Sequence, residues 1–314
     1  MKYIIKKIMT LIMTLFLVSI FTFTAFQVIP GDSVTTTLGM DATEEEVQAL
    51  REELGLDKSI PEQYVNWLGD ALRGDFGTSM QNKMQIPVSE LIGDRLPVTV
   101  WLAAISFLLI VLISLPLGIL AAKKKDGLLD HVITLVTQIF MSVPQFFLGI
   151  LITLLFGILL KWFIPGRFIH PSESFPGFLR FMIFPAFAVA VPKIAMLVKF
   201  LRSSILRQLD LDYVRTARSK GKKENDILYQ HVLKNALIPV ITFLAMILAD
   251  ILAGAILIEQ VFNLPGLGRL LVVAISTRDF GVVQAIILYI ATVVVIINFI
   301  VDLLYQWIDP RLRN

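Results

Sequence analysis

Six long apolar stretches dominate the chain, and polar or charged segments separate them. The stretches cover residues 8–29, 98–122, 132–160, 181–201, 236–258 and 282–305. A helix needs about 20 apolar residues to cross the hydrocarbon core of a bilayer. The pattern therefore predicts an all-α membrane protein with about six transmembrane helices. The first stretch follows three lysines, but its length and the lack of a small-residue cleavage site favour an uncleaved anchor.

Composition narrows the class of protein further. Hydrophobic residues make up 56% of the 314 positions and charged residues 17%, whereas soluble domains carry about 45–50% and about 25%. The net charge of +3 gives no support for nucleic-acid binding. The chain has no cysteine, and its three histidines are scattered without metal-binding spacing. We therefore expect no metal site and no thiol chemistry in this chain.

The polar segments differ in charge from one side of the predicted membrane to the other. Of the 28 Lys and Arg residues, 17 fall in the two tails, in the segments after the second and fourth stretches, or at the end of the fourth stretch (Lys199). The basic side of a membrane protein is cytoplasmic, so both termini are expected inside the cell. This division gives an N-terminal tail and first transmembrane helix (1–29), an extracytoplasmic insertion (30–96) and a core with five transmembrane helices (97–314).

The predicted outer insertion has the pattern of a small helical segment. Gly55 follows one amphipathic run and predicts its end, because glycine adopts the left-handed conformation freely. Ser59 and Pro61 predict the start of a second helix, as an N-cap and an early helical proline. The segment is either a lid without a ligand of its own or a docking surface for an extracellular partner.

The longest predicted cytoplasmic loop, residues 202–235, carries two further helical patterns. One helix passes through Tyr213 and Ala217 and ends at Gly221. Asn225 is expected to cap a second helix that leads into the fifth apolar stretch. A basic amphipathic helix of this kind lies on lipid headgroups or docks a soluble partner, and the pattern alone leaves both open.

This loop resembles the EAA loop of permeases from ABC importers. The segment 212–221 reads DYVRTARSKG and matches the form typical of the dipeptide, oligopeptide and nickel branch. The family's later I-x-L-P is only partly present, since His231 and Lys234 occupy its Ile and Pro positions. Further motifs resemble the same branch along the chain: LGLD at 54–57, GDFGTS at 74–79, PQFFLG at 144–149, VFNLPGLG at 261–268 and DPR at 309–311.

The resemblance implies a transport subunit without enzymatic activity of its own. Two cytoplasmic ATPase subunits would bind ATP and Mg, and a second permease subunit and an extracytoplasmic substrate-binding protein would complete the importer. The chain contains no phosphate-binding G-x-x-x-x-G-K-[ST] motif. The implied ATPase-coupling residues are Asp212, Tyr213, Arg215, Thr216, Ala217, Arg218 and Gly221. Peptides are the expected substrate, with nickel or a metal chelate as the alternative.

Two charged residues fall well inside the apolar stretches, at least eight residues from either end. Lys193 lies in the fourth stretch and Asp250 in the fifth, where a charge costs about 2.5–3.5 kcal/mol on insertion scales. We expect them either to pair or to line the translocation pathway. An ion-coupled secondary transporter is the alternative from another class, because such proteins use intramembrane carboxylates. An intramembrane enzyme has less support, because no nucleophile in the stretches has an identifiable base.

Overall fold

A computed structural model describes residues 2–28, 43–53, 55, 57–79 and 86–308, and these residues are predominantly helical. The β-type pairing among them is one isolated bridge between Thr78 and Pro87. Several sequence features lie outside the described residues: positions 54 and 56 of LGLD, residue 29 of the first stretch, and the DPR motif and arginines of the tail 309–314.

Thirteen helices are described, and we number them in chain order. They are α1 Lys2–Val28, α2 Glu44–Glu53, α3 Ile60–Leu72, α4 Val88–Lys123, α5 Leu128–Ser142, α6 Gln145–Ile152, α7 Phe175–Leu209, α8 Asp212–Ser219, α9 Glu224–Ile227, α10 Leu233–Gly254, α11 Ile256–Val261, α12 Leu267–Ser276 and α13 Phe280–Ile308. Two π-helical segments, Thr153–Leu159 and Leu228–Val232, continue α6 and α9. Five helices are long and apolar enough to cross a membrane, and α5 with α6 adds a sixth if the pair forms one span.

The third apolar stretch, 132–160, predicts one span, and the structure divides it into two helices that are sharply bent against each other. The axes of α5 and of the helix that starts with α6 differ by 98°. Pro144 is the N-cap of α6, and Val143 before it is extended, with φ −93° and ψ 124°. A proline disfavours helical backbone at the preceding residue and has no N–H to donate, so the helix breaks here.

Other helices extend beyond the apolar stretches that predicted them. α4 begins at Val88, ten residues before the apolar stretch, and includes Pro97. α7 begins at Phe175, where the Ser174 hydroxyl caps it by accepting the Gly177 N–H, and continues to Leu209. The predicted loop 202–235 is therefore much shorter, because its first eight residues still belong to α7.

One compact unit combines Met1–Thr99 with Pro265–Ile296. The helices predicted in the outer insertion are present as α2 and α3, with Gly55 at φ 65° between them and Ser59 as the N-cap of α3. α3 packs on α1 through aromatic contacts. Phe23 lies 5.4 Å from Tyr64 and 5.6 Å from Trp67 between ring centroids, and the Tyr64 and Ser19 hydroxyls are hydrogen-bonded.

The second unit comprises Val100–Leu264 and Ile297–Asn314, and α7 forms its centre. α7 packs against α5, α6 and α10, and its buried positions include many alanines, which allow close approach of neighbouring helices. Aromatic rings fill one end of this unit: the Phe163 ring lies 4.5 Å from Phe184 and 5.6 Å from Phe181. The candidate site is at the other end of α7.

Candidate functional site

The predicted helix through Tyr213 and Ala217 is the separate short helix α8. The helical spacing of Leu206 and Leu209 with Tyr213 and Ala217 predicts one continuous helix. Asp210 and Leu211 instead separate α7 from α8. The prediction that Gly221 ends the helix is confirmed. Gly221 has φ 77°, its N–H donates to the Arg218 carbonyl, and the next N–H donates to the Ala217 carbonyl. These two bonds form a Schellman motif, which turns the chain sharply.

α8 has one face against the protein and one face exposed. Val214 is fully buried, and the Tyr213 hydroxyl donates to Gln208 Oε1 at 2.9 Å, which attaches the helix to the end of α7. Ala217 is half-buried, whereas Arg215 and Thr216 are exposed. The helix is thus held from one side, and its polar side is free to contact another molecule.

One exposed ion pair bridges the turn between α8 and α9, and a second lies within α8. The Arg218 guanidinium donates to both oxygens of Glu224, at 2.7 and 3.1 Å, and Arg215 lies 3.3 Å from Asp212. The bond from Arg218 holds the pKa of Glu224 below its usual value. Exposed pairs contribute roughly 0–1 kcal/mol each, so both arginines remain able to exchange partners.

The segment after the glycine turn differs from its prediction in one respect. α9 begins at Glu224 with Lys223 as its N-cap, so Asn225 lies inside the first turn and the predicted Asn225 cap is wrong. The helix then widens into the π-helical segment Leu228–Val232 before α10 starts. Lys222 Nζ lies 2.9 Å from His231 Nε2 across this turn. α8, the glycine turn and the π-helical segment together form what we call the corner, residues 212–232.

A buried ion pair at the base of the corner was missed by sequence reasoning. Arg202 donates to both oxygens of Asp130, at 2.6 and 2.7 Å, and thereby joins α7 to α5. The Asp130 side chain is 4% exposed and also accepts the Asp126 N–H at 3.0 Å. The available signal was a carboxylate in the first turn of an apolar run, five residues after Lys125.

The structure brings together the two charges predicted inside the membrane. Lys193 on α7 forms an ion pair with Asp250 on α10. Two further contacts along the same interface set the helices antiparallel: Phe200 stacks on Phe243 at 4.6 Å, and Ser204 donates to the Ala236 carbonyl at 2.9 Å. The structure therefore contains the predicted Lys193–Asp250 pair, whereas a role of these residues in the translocation pathway stays a prediction.

Among the described residues, no group of three or more His, Cys, Asp or Glu side chains could hold a metal ion. The arrangement instead offers a rigidly attached helix with an exposed polar face beyond the spanning segments. Such a helix can transmit a displacement of a bound partner into α7 and α10. The geometry therefore suits a mechanical role.

Comparisons with known proteins agree with this geometry. Residues 114–314 match the family described as "Binding-protein-dependent transport system inner membrane component", and residues 1–103 match its N-terminal region. The chain is 36% identical to a probable peptide ABC transporter permease of Sinorhizobium fredii over 311 residues, covering 99% of each chain. It is 38% identical to an oligopeptide transport system permease of Bacillus subtilis over 313 residues, again covering 99% of each.

A putative peptide transport system permease of Brucella abortus is 39% identical over 310 residues, which cover 99% of this chain and 98% of the relative. Similarity therefore extends over the spans, the outer segment and the corner alike. The chain belongs to the family of inner membrane components of binding-protein-dependent transport systems, as a permease subunit of an ABC importer.

Proposed function

We propose that this chain forms half of the translocation pathway of an ATP-driven importer of peptides. Similarity over the full chain length to permeases named for peptides or oligopeptides carries the proposal. These names favour peptides over nickel or a metal chelate. The corner favours an ATP-driven importer over an ion-coupled transporter, because an ion gradient needs no exposed helix beyond the membrane.

The complete importer requires further subunits. Two ATPase subunits bind ATP and Mg on the cytoplasmic side, a second permease subunit completes the pathway, and a substrate-binding protein delivers the peptide outside. This chain performs no hydrolysis itself. Both of its termini are cytoplasmic, since the basic residues concentrate on that side. The corner then lies where the ATPases can reach it.

In this arrangement α8 transmits the movement of an ATPase subunit to the pathway. Asp212, Arg215, Thr216 and Arg218 present polar groups on its exposed side, and Tyr213 and Val214 attach it to the protein. Gly221 returns the chain toward α10 within a few residues. A shift of α8 therefore acts on two adjacent spans at once and biases the pathway between inward-open and outward-open states.

A single-cysteine experiment tests the position of the corner directly, because the natural chain contains no cysteine. Thr216→Cys adds a thiol on the exposed side of α8, and Leu72→Cys adds one in the outer segment, where Leu72 is 82% exposed. We expect Thr216→Cys to cross-link to an ATPase subunit and to resist membrane-impermeant maleimide on intact cells. Leu72→Cys should react with that maleimide and form no ATPase cross-link. The reverse labelling pattern would overturn the orientation and the docking role together.

A second experiment tests mechanical coupling. Gly221→Pro removes the N–H that donates to Arg218, and Ala217→Trp adds bulk on the half-buried side of α8. Both variants should insert into the membrane normally and lose ATP-driven uptake. Gly221→Asn is the matched control, because asparagine tolerates positive φ and no atom lies within 4 Å of the added Cβ. Wild-type uptake by Gly221→Pro or Ala217→Trp would contradict the coupling role.

A further inference from the structure

The ion pair between Lys193 and Asp250 joins α7 to α10 well inside the two apolar stretches. Lys193 is separated from the ends of α7 by 18 and 16 residues, which corresponds to about 27 and 24 Å along the helix axis. The pair lies seven residues along each helix from the Phe200–Phe243 stack, about 10 Å further from the corner. The two charges are therefore near the middle of the membrane.

The side chains of Lys193 and Asp250 differ in how much of their surface is exposed. The Lys193 side chain is 15% exposed, whereas the Asp250 side chain is 63% exposed. A carboxylate facing lipid at this depth is unfavourable by about 2.5–3.5 kcal/mol, and intramembrane charges almost always face a protein interior or a water-filled cavity. We therefore expect the open side of Asp250 to face the second permease subunit or the translocation pathway rather than lipid.

The surroundings of the pair suit a ligand of variable shape. Met246 lies one turn from Asp250 on α10 and is 57% exposed, and Met196 lies one turn from Lys193 on α7 and is 39% exposed. Methionine side chains are unbranched and polarisable, and they adapt to differently shaped partners. The two exposed methionines therefore lie level with each other, one turn from the two opposite charges, and give the polar spot an adaptable apolar border on the side nearer the corner.

We propose that Lys193 and Asp250 form a binding subsite for the charged termini of a zwitterionic peptide. The inference rests on the proposed function and assigns a substrate-binding role to the pair. Asp250 receives the terminal ammonium of the peptide, and the Lys193 ammonium receives a carboxylate. The internal ion pair opens when the peptide enters and closes again when it leaves. No charge is left unpaired in the membrane at any stage, which avoids the cost of an isolated buried charge.

The peptide's length fits this exchange. Three residues span at most about 10 Å when extended, and the flexible lysine stem lets its charge move away from Asp250 by several ångströms. A short peptide can thus lie between the two groups and contact both. A peptide with blocked termini offers neither charge and would have to enter past an intact ion pair.

The decisive variant replaces both charges by apolar residues of similar size, Lys193→Met with Asp250→Leu. Replacing a buried ion pair in this way usually preserves folding, so a pair that only fixes packing would leave transport intact. We expect instead that ATP-driven uptake of trialanine falls at least tenfold, with a raised KM and a normal amount of protein in the membrane. The control is Ser19→Ala with Tyr64→Phe, which removes a hydrogen-bonded pair between α1 and α3, away from the corner, and should change uptake less than twofold.

Direct binding provides an independent measurement. The assembled importer, purified through a tag on this chain and without the binding protein, should bind trialanine at least tenfold more tightly than N-acetyl-trialanine amide. Tenfold corresponds to 1.4 kcal/mol. Equal affinities, or wild-type uptake by the Lys193→Met/Asp250→Leu variant, would overturn the subsite. Absence of any ATP-driven peptide uptake by the wild-type importer would instead contradict the proposed function.

Discussion

The ion pair between Asp130 and Arg202 should make the largest single electrostatic contribution to the stability of the second unit. Arg202→Met leaves a carboxylate that is 4% exposed, with the Asp126 N–H at 3.0 Å and the Thr134 hydroxyl at 3.5 Å as its remaining donors. Removing one partner of a buried pair costs about 3–5 kcal/mol. Because these hydrogen bonds to Asp130 remain, the expected loss of unfolding free energy is at the lower end of this range, about 3 kcal/mol.

The opposite variant should cost less. Asp130→Asn leaves the Arg202 side chain, which is 25% exposed and can turn toward water. The expected loss is about 1–2 kcal/mol, the range for a partly satisfied polar group. The double variant Asp130→Leu/Arg202→Met leaves no unpaired charge and should lie within about 1 kcal/mol of wild type.

Unfolding of the purified protein in detergent micelles tests this order. The free energy of unfolding should fall in the sequence wild type, double variant, Asp130→Asn and Arg202→Met. The single variant Asp130→Leu also leaves Arg202 without its partner and should lose about 1–2 kcal/mol, so the cycle with Arg202→Met should return a coupling energy of about 3–5 kcal/mol. Equal losses for Asp130→Asn and Arg202→Met would contradict the predicted order. A double variant whose loss equals the sum for Asp130→Leu and Arg202→Met would show that Asp130 and Arg202 are not coupled.

Three further predictions concern smaller interactions. Thr99→Val removes the hydroxyl that accepts the first N–H of α12 at 2.9 Å and should cost about 1 kcal/mol of unfolding free energy, while Thr99→Ser should not. Ser79→Ala removes the 2.6 Å bond to the buried Asp279 carboxylate and should cost about 1.5–3 kcal/mol; a loss below 0.5 kcal/mol would contradict that estimate. Because Arg218 lowers the pKa of Glu224 from 4.5, the pair stabilises at neutral pH, and this contribution disappears as the pH falls through the lowered pKa. The difference in Tm between wild type and Glu224→Gln should therefore shrink below pH 4.5, and a difference that grows would be inconsistent with the pair.

The apolar pattern predicted the spanning helices well because lipid exposure leaves a long continuous signal. Their ends were less predictable. α4 and α7 continue beyond the apolar stretches into 88–97 and 202–209, which contain charged and polar residues. A helix can extend out of the membrane into water in this way. Pro144 is evident in the sequence, but other prolines lie within α4 and α7 without breaking those helices. Whether a proline breaks or merely bends a helix depends on packing around it, which the sequence does not reveal.

Local signals in the corner were reliable where backbone conformation decided the outcome. Gly221 ends α8 because its positive φ favours glycine, and the Schellman bonds follow from that. Side-chain partners were harder to predict. Arg218 pairs with Glu224, six residues away in sequence, and Arg202 pairs with Asp130, 72 residues away. Such choices depend on which helices pack together, so the Lys193–Asp250 contact could be suggested only from the expectation that consecutive spans adjoin.

The central claim is that this chain imports peptides by energy from ATP hydrolysis in partner subunits. The most direct test is trialanine uptake into proteoliposomes that contain the purified importer and its binding protein. We expect uptake only when ATP is present on the side of the corner, with the same rate after ionophores dissipate every ion gradient. Uptake that proceeds without ATP and stops when a proton or sodium gradient is dissipated would contradict the account and identify a secondary transporter.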